Sequence, residues 1–322
     1  MKALQFFPKG VPGPTIVEIP KPVPAHNEVL VKVVNSAIDT GLDAVVSNEI
    51  TAYFIHSKKA PLYLGWHFAG RVEGFGMDVT DLAVGVNVFG HLQYSPSQRQ
   101  GAFAEYIVVP RQDLAVKPNT VPMDVAAAAS TESMTALQAM RDLGGLAADK
   151  SVLIIGSGGV GSMAVSIAKK LAANVTVVCS PADLDRMKGL GADICLDRSL
   201  VNFLTMEGIA FDVIFDTPSK YSAHQCIKKL HKNGVYVVTV PNIGLVVGVL
   251  MTCFWYTTNK VRWVECHSSN NDLQLIGKWL EEGMPAGIDS TYAIKDMVDA
   301  MKRHKEKKGG GRVVISVENG WE

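Results

Sequence analysis

The stretch "VLIIGSGGVGSMAVSIAKKLAANVTVVCS", residues 152–180, limits the fold of this chain more than any other. Val152 to Ile155 are four consecutive apolar residues, which suits a strand buried on both faces of a parallel sheet. Gly156, Gly158 and Gly161 then form a G-x-G-x-x-G pattern. Met163, Ala164, Ile167, Ala168 and Leu171 recur at helical spacing, so a helix is expected, broken at Asn174. Val175 to Val178 read as a second strand. Strand, glycine turn, helix and strand in succession make the pattern a dinucleotide-binding signature. Gly156 permits the tight turn, Gly158 lets a pyrophosphate approach the backbone, and Gly161 lets the helix pack close to the sheet. Gly159 and Val160 open the helix, whose N-terminus offers free N–H groups and a positive dipole end to phosphates. The competing reading is a doubly wound domain that has lost its ligand.

The remainder of the chain falls into two textures. "TIVEIP", "EVLVKVVNSA", "FAGRVEGFG", "NVFGH" and "AFAEYIVVP" are short strands punctuated by Pro and Gly. They predict a mostly antiparallel, barrel-like domain. From "MDVAAAASTESMTALQAMRDL" onward a long Ala-rich helix leads into alternating strands and helices. The strands are "VLIIG", "NVTVVCS", "DICLD", "FDVIFDT", "GVYVVTV" and "VRWVECH". That alternation predicts an α/β parallel sheet covered on both faces. After His267, "NDLQLIGKWLEEG" and "KDMVDAMKRH" read as helices, and "IDSTYAI" and "RVVISVE" as strands. The expected organisation is a first domain over 1–119, completed by 268–322, with a nucleotide domain over 120–267 inserted between.

Charge excludes one class of partner. The chain has 322 residues with 31 Lys and Arg against 31 Asp and Glu. A net charge of zero gives no electrostatic case for nucleic acid. The lysines in "MKRHKEKKGGGR" read as a solvated helix end. The apolar run "IGLVVGVLMTCFWY", residues 243–256, is too short to span a bilayer. It suits a substrate pocket, a subunit interface or a membrane surface. The N-terminus lacks the apolar core of a signal peptide. Five cysteines, none in a C-x-x-C pair, read as buried free thiols in a reducing compartment, and the expected location is cytoplasmic.

These motifs resemble the medium-chain dehydrogenase/reductase superfamily, in particular its zinc-free quinone-oxidoreductase branch. The resemblance rests on "NEVLVKVVNSAIDTGLD", "PLYLGWHFAGRVEGFG", "VGVNVFGH", "GAFAEYIVVP", "AAAASTESMTALQAM", "GLGADICLD" and "GGRVVISV", together with the glycine turn. The segment after Val240 is most similar to chloroplast-envelope quinone-oxidoreductase homologues. The resemblance implies a GroES-like β-barrel catalytic domain, a Rossmann doubly wound parallel sheet, and a cleft between them. In zinc-dependent members a catalytic cysteine stands at the position of Asp39. Their G-H-E motif reads here "GWHFAG", so Trp66 replaces the histidine ligand and His67 the acidic neighbour. The third ligand position falls near Thr131. Zinc needs three nitrogen, sulfur or oxygen donors from the protein, and tryptophan supplies none. Residues 1–178 contain no cysteine, so a four-cysteine structural site is absent too. No metal site is expected.

Without a Lewis acid to hold an alkoxide, alcohol oxidation loses its support. Hydride delivery to an electron-poor carbon keeps it, because a quinone or an α,β-unsaturated carbonyl spreads the developing charge itself. The chain is therefore expected to be a zinc-independent NAD(P)H-dependent oxidoreductase acting on a small-molecule quinone or enone, and a homodimer. The alternative is a non-catalytic dinucleotide-binding redox sensor or structural relative. Asp39 and His67 are the candidate catalytic residues, able to form a neutralising pair if close, though a core histidine bonded to backbone competes as a reading of His67. Tyr53, Tyr63 and Tyr94 are candidate proton donors. Thr135 and Ser180 join the glycines as candidate cofactor contacts. The second strand ends at Val178-Cys179-Ser180 without a carboxylate, which favours NADPH over NADH because nothing there repels a 2′-phosphate. Arg186 and Lys188 are the nearest cations.

Overall fold

The computed structural model describes residues 1–8, 13–50, 52–240, 258–306 and 310–322. The apolar run 243–256 lies outside them. The chain divides into two compact units, Met1–Met134 with His267–Glu322, and Thr135–Cys266.

The second unit has six described strands. They are β9 (Ser151–Ile155), β10 (Asn174–Cys179), β11 (Ile194–Asp197), β12 (Phe211–Asp216), β13 (Leu230–Val238) and β14 (Lys260–Trp263). They form a parallel sheet in the order β11-β10-β9-β12-β13-β14. The order runs outward in both directions from the neighbours β9 and β12, so this is a doubly wound sheet. Its topological switch lies between the carboxyl ends of those two strands, where such sheets bind ligands. Val152, Leu153 and Ile154 are fully buried, as a central parallel strand requires. The helix after the glycine turn spans Gly159–Lys170 and buries every residue from Gly161 to Ala168. It ends before Asn174, which instead opens β10. The chain turns at Ala172, which takes a positive φ of 58°.

In the first unit β3 (Glu28–Ala37) is the central ribbon. It pairs antiparallel with β5 (His67–Phe75), β7 (Tyr106–Pro110) and β16 (Arg312–Ser316). β5 pairs with β6 (Asn87–His91), and β6 with β8 (Leu114–Val116). β15 (Ile288–Ala293) joins β16 in parallel, a departure from the antiparallel rule. A second sheet is made of β1 (Lys2–Phe6) between β2 (Thr15–Glu18) and β4 (Leu62–Tyr63). Leu4, Val31, Val33, Phe68, Phe103 and Ile107 pack between these strands as one core.

α1 (Thr40–Val46), capped by Asp39, and α3 (Met123–Leu137) supply polar residues to the sites described below, and the short α2 (Ala52–Ile55) lies between them in sequence. Most of α3 falls in the first unit, not in the second as its position in the sequence suggests. Among the described residues no helix is long and apolar enough to cross a membrane. Cys179, Cys226 and Cys266 are buried free thiols, and Cys195 is a partly exposed one.

Candidate active site residues in the two units

The glycine turn is built by opposite steric demands at its three glycines. Gly156 sits at φ 102°, and a Cβ there would lie 2.5 Å from Oγ1 of Thr217. Thr217 follows β12 and ties the turn to that strand, its Oγ1 donating to the Ile155 carbonyl at 2.8 Å. A Cβ on Gly161 would lie 2.2 Å from the Gly156 carbonyl oxygen, so only glycine lets the helix start this close to the turn. Gly158 is different. A Cβ there meets nothing within 4 Å. Its bareness serves no contact within the protein, which is what a backbone reserved for a pyrophosphate should show. Gly158 is exposed, and Gly159 and Val160 are half-buried in the first turn of the helix. The geometry therefore fits a dinucleotide phosphate.

At the end of β10 the structure changes the picture drawn from sequence. Asp183 folds back over the strand end. Its Oδ2 accepts from Ser180 Oγ at 2.5 Å and from Ser157 Oγ at 2.7 Å. Arg186 donates to its Oδ1 at 2.6 Å, to the Ser157 carbonyl at 2.7 Å and to Ser162 Oγ at 2.7 Å. The strand end thus has a carboxylate after all, supplied three residues beyond Ser180, and the Ser180 hydroxyl is already donated to it. Partial burial works to raise the Asp183 carboxyl. Ser180, Arg186 and Ser157 outweigh burial and hold it below its ordinary value. Thr135 lies buried in α3.

The first unit holds a buried polar cluster. Asp39 caps α1, its Oδ1 accepting from the Leu42 amide at 3.1 Å. Its Oδ2 accepts from Tyr94 Oη at 3.0 Å. The same Oδ2 lies 3.3 Å from Nε2 of His67, a buried nitrogen that makes no aligned hydrogen bond. His67 opens β5 and is fully buried. Its Nδ1 lies 3.3 Å from Ser130 Oγ and 3.5 Å from Glu132 Oε2, both on α3. Glu132 is ion-paired with Arg312, the first residue of β16. Arg312 also donates to the Ile38 carbonyl at 2.6 Å. His91, opposite His67 in the β5–β6 register, has its Nδ1 2.8 Å from Thr131 Oγ1.

Burial alone would raise the Asp39 carboxyl. The approach of His67, with the charge of Arg312 and the hydrogen bond from Tyr94, brings it well below its ordinary value. Burial draws His67 toward its neutral form, and the Asp39 carboxylate opposes that pull. Burial pushes His91 down to about 3, so its ring is neutral at physiological pH. The Asp39–His67 approach raised as a conditional pair from the sequence is present at 3.3 Å, and a backbone hydrogen bond with Ala127, the kind the competing reading expected, acts on His67 as well. Glu132, Arg312 and His91 were not anticipated. Glu132 sits inside "ASTESMTAL" and Arg312 inside "GGRVVISV", but nothing in their spacing joins them.

Trp66 is 1% exposed. Its indole packs near His56 and Tyr94, with ring centroids 5.9 and 5.6 Å away. Among the described residues no group of three His, Cys, Asp or Glu is arranged to hold a metal ion. Of the three candidate tyrosines, Tyr94 alone is shown bonded to Asp39. Tyr53 is 57% exposed, with Lys58 Nζ 3.3 Å above its ring.

Residues 25–119 match the family model described as alcohol dehydrogenase GroES-like domain, and residues 190–315 the one described as zinc-binding dehydrogenase. The chain is 28% identical over 288 residues to a trans-enoyl reductase of Aspergillus terreus, covering 82% of this chain and 79% of the relative. It is 25% identical over 332 residues to a chloroplastic quinone-oxidoreductase of Triphysaria versicolor, covering 98% of each. A solved quinone oxidoreductase from Coxiella burnetii shares the fold with a TM-score of 0.86, at 24% identity over 99% of each chain. The GroES-like match, the six-stranded doubly wound sheet and these relatives together identify the chain as a member of the medium-chain dehydrogenase/reductase superfamily.

Proposed function

We propose that the chain is a zinc-independent, NADPH-dependent reductase that transfers a hydride to a quinone or an α,β-unsaturated carbonyl. The observation that carries the reading is the charge balance of the buried cluster. A guanidinium, Arg312, is paired with Glu132 and lies close enough to Asp39 and His67 to influence both. Trp66, which the resemblance sets at the position of the histidine ligand in zinc-dependent members, is buried and brings no donor for zinc. The donor set does not fit zinc, because the cation that compensates its carboxylates is already part of the protein. A substrate that delocalises its own developing charge is the kind this unit suits. The two curated relatives described above, a trans-enoyl reductase and a quinone-oxidoreductase, agree with that class.

The bound nicotinamide would supply the hydride. Gly158, Gly159, Val160 and Gly161 would hold its pyrophosphate on backbone N–H groups, and Arg186 is the cation nearest to a 2′-phosphate. Asp183 draws on that same cation and puts at the strand end the carboxylate whose absence favoured NADPH, so the NADPH preference in this proposal rests on Arg186 alone. Asp39 and His67 are assigned to the catalytic centre, while Thr135 and Ser180 complete the proposed cofactor contacts. The same proposal includes a cytoplasmic location and a homodimer. A turnover screen of quinones, enones and aldehydes with both cofactors tests it. Multiple turnovers with a quinone or enone support it, whereas tight binding without turnover would favour the redox-sensor alternative.

A further inference from the structure

We propose that Tyr94 delivers the proton that completes enone reduction, and that the buried Asp39–His67 pair recharges it through the single oxygen Oδ2. This rests on the reductase reading above.

Three observations point the same way. Tyr94 is the partly exposed member of a cluster in which Asp39, His67, Glu132 and Arg312 are all buried. It is therefore the member able to reach a substrate. Its ring is oriented by packing, 4.6 Å from the His91 ring and 5.6 Å from that of Trp66. Finally, Asp39 Oδ2 has Tyr94 Oη at 3.0 Å and His67 Nε2 at 3.3 Å, so one carboxylate oxygen lies within reach of both groups. The other oxygen of Asp39 is occupied by the helix cap, which holds the carboxylate in place.

A carboxylate bonded to a phenol makes the phenol a weaker acid, so Tyr94 and Asp39 alone would form a poor donor. His67 removes that difficulty. A bound dihydronicotinamide would supply the hydride, its own C–H bond breaking as it is oxidised; addition at the β-carbon of an enone forms a C–H bond there, consumes the carbon–carbon π bond and leaves an enolate. The Tyr94 hydroxyl turns its hydrogen from Asp39 Oδ2 to the enolate α-carbon, which takes that proton as the phenolic O–H bond breaks. Asp39 Oδ2, which carries no proton of its own, accepts the Nε2 proton of a protonated His67 and passes it to the phenolate. The net donor is the imidazolium, and Tyr94 and Asp39 end in their starting states. Water reprotonates His67 by the same route before the next turnover.

Around His67 stand Asp39 at the start of α1, Glu132 on α3, Arg312 on β16, His91 on β6 and Tyr94. With His67 protonated, two carboxylates face two cations and the buried group is neutral. His91 carries no charge to disturb that balance.

The test uses the intact enzyme with NADPH and 2-methylcyclohex-2-enone in D2O, comparing wild type, Tyr94→Phe, His67→Gln and Asp39→Asn. Wild type should place deuterium on one face of the α-carbon, and its turnover should fall as pH rises through the acid side of the ordinary histidine range. Tyr94→Phe should lose about a hundredfold or more in turnover, the contribution typical of a positioned acid, and should lose facial selectivity. The loss should be smaller with 1,4-benzoquinone, whose product exchanges its hydroxyl protons directly with water. His67→Gln and Asp39→Asn should keep facial selectivity and lose the pH limb. Asp39→Asn retains a side-chain oxygen for the helix cap, so this variant tests the relay even if another fails to fold. Wild-type rate and selectivity in Tyr94→Phe would overturn the proposal, as would an unchanged pH profile in Asp39→Asn. A wild type that turns over neither substrate class defeats the reductase reading itself, a separate outcome.

Discussion

The two units carry their chemistry in opposite ways. The glycine turn of the second unit is a backbone device. It depends on side chains being absent, at Gly156 and Gly161 because atoms of the protein crowd in, and at Gly158 because nothing does. The polar cluster of the first unit depends on side chains from α1, α3, β5, β6 and β16 meeting in a dry interior. The first device is local and tolerant of its surroundings. The second is long-range, and each charge in it is a liability unless its partner is present. The two should therefore fail differently under mutation. A side chain at Gly158 should cost ligand and spare the fold, while removal of the cluster's buried guanidinium should cost stability.

The largest expected effect is at Arg312. Arg312→Met keeps the bulk of the stem but leaves Glu132 and Asp39 buried without their cation. Breaking a buried pair by removing one partner costs about 3–5 kcal/mol. Denaturant unfolding should show a loss of that order. A loss no larger than that of a surface substitution would mean the cluster is not held by its charges, and the contrast between the units would fail on that side.

Gly158→Val comes next. A Cβ there meets nothing within 4 Å, so the folded protein should accept it with an unchanged melting temperature. A bound pyrophosphate would not. Fluorescence titration should show dinucleotide affinity reduced by about a hundredfold or more, equivalent to about 2.7 kcal/mol. Unchanged affinity would remove the turn from the cofactor site. Falling stability would remove the contrast.

How much of each unit was legible in sequence follows from the same distinction. The glycine turn, the six strands around it and the helix after it were readable because their signals lie within one window of the chain. The strands β3 and β6 were readable to the residue for the same reason. β4, only Leu62 and Tyr63, and β8, Leu114 to Val116, are too short to show a period, and their strand character comes from their neighbours. In the cluster, Asp39 and His67 could be named because they occupy positions with a known role in the superfamily. Arg312 could not, since it is 274 positions from the Ile38 carbonyl it bonds and nothing short-range marks it. Asp183 lies three residues past a strand end that itself carries no carboxylate. Its return to Ser180 is a turn geometry that composition does not reveal.

The pH dependence separates the units again. His91 is buried and neutral, its value pushed from an ordinary 6.5 down to about 3. In the unfolded chain the ring takes up a proton as pH falls below about 6.5, while the folded protein resists until about 3. The stability that depends on this neutral ring is thus complete above the upper value and declines across the window as pH falls. Each pH unit within it costs about 1.4 kcal/mol. In His91→Gln, a neutral side chain that does not titrate, the melting temperature should fall less steeply between about pH 6 and pH 4. A parallel decline in both proteins would place the acid sensitivity elsewhere.

The smallest expected effect concerns cofactor choice, at the margin of the turn where a side chain intrudes on the backbone device. Asp183 binds Ser180, Ser157 and Arg186 at once. An ionised carboxylate there repels a 2′-phosphate, offers a ribose 2′-OH an acceptor, and occupies the nearest guanidinium. Arg186 in turn is anchored by the Ser157 carbonyl and Ser162 Oγ, so it cannot turn wholly toward a ligand. Wild type should then prefer NADPH over NADH by less than a full basic clamp would give. One charge-assisted hydrogen bond contributes about 1.5–3 kcal/mol. Asp183→Asn removes the repulsion and frees part of Arg186. The NADPH preference should rise by about tenfold, near the lower end of that range. Ser180→Asp should move it the other way by adding a second carboxylate. Dissociation constants for both cofactors in the three proteins decide the matter. If neither substitution changes the ratio, the 2′ position is not read at the end of β10. The turn would then bind its dinucleotide by backbone alone, and its contrast with the side-chain cluster would be sharper still.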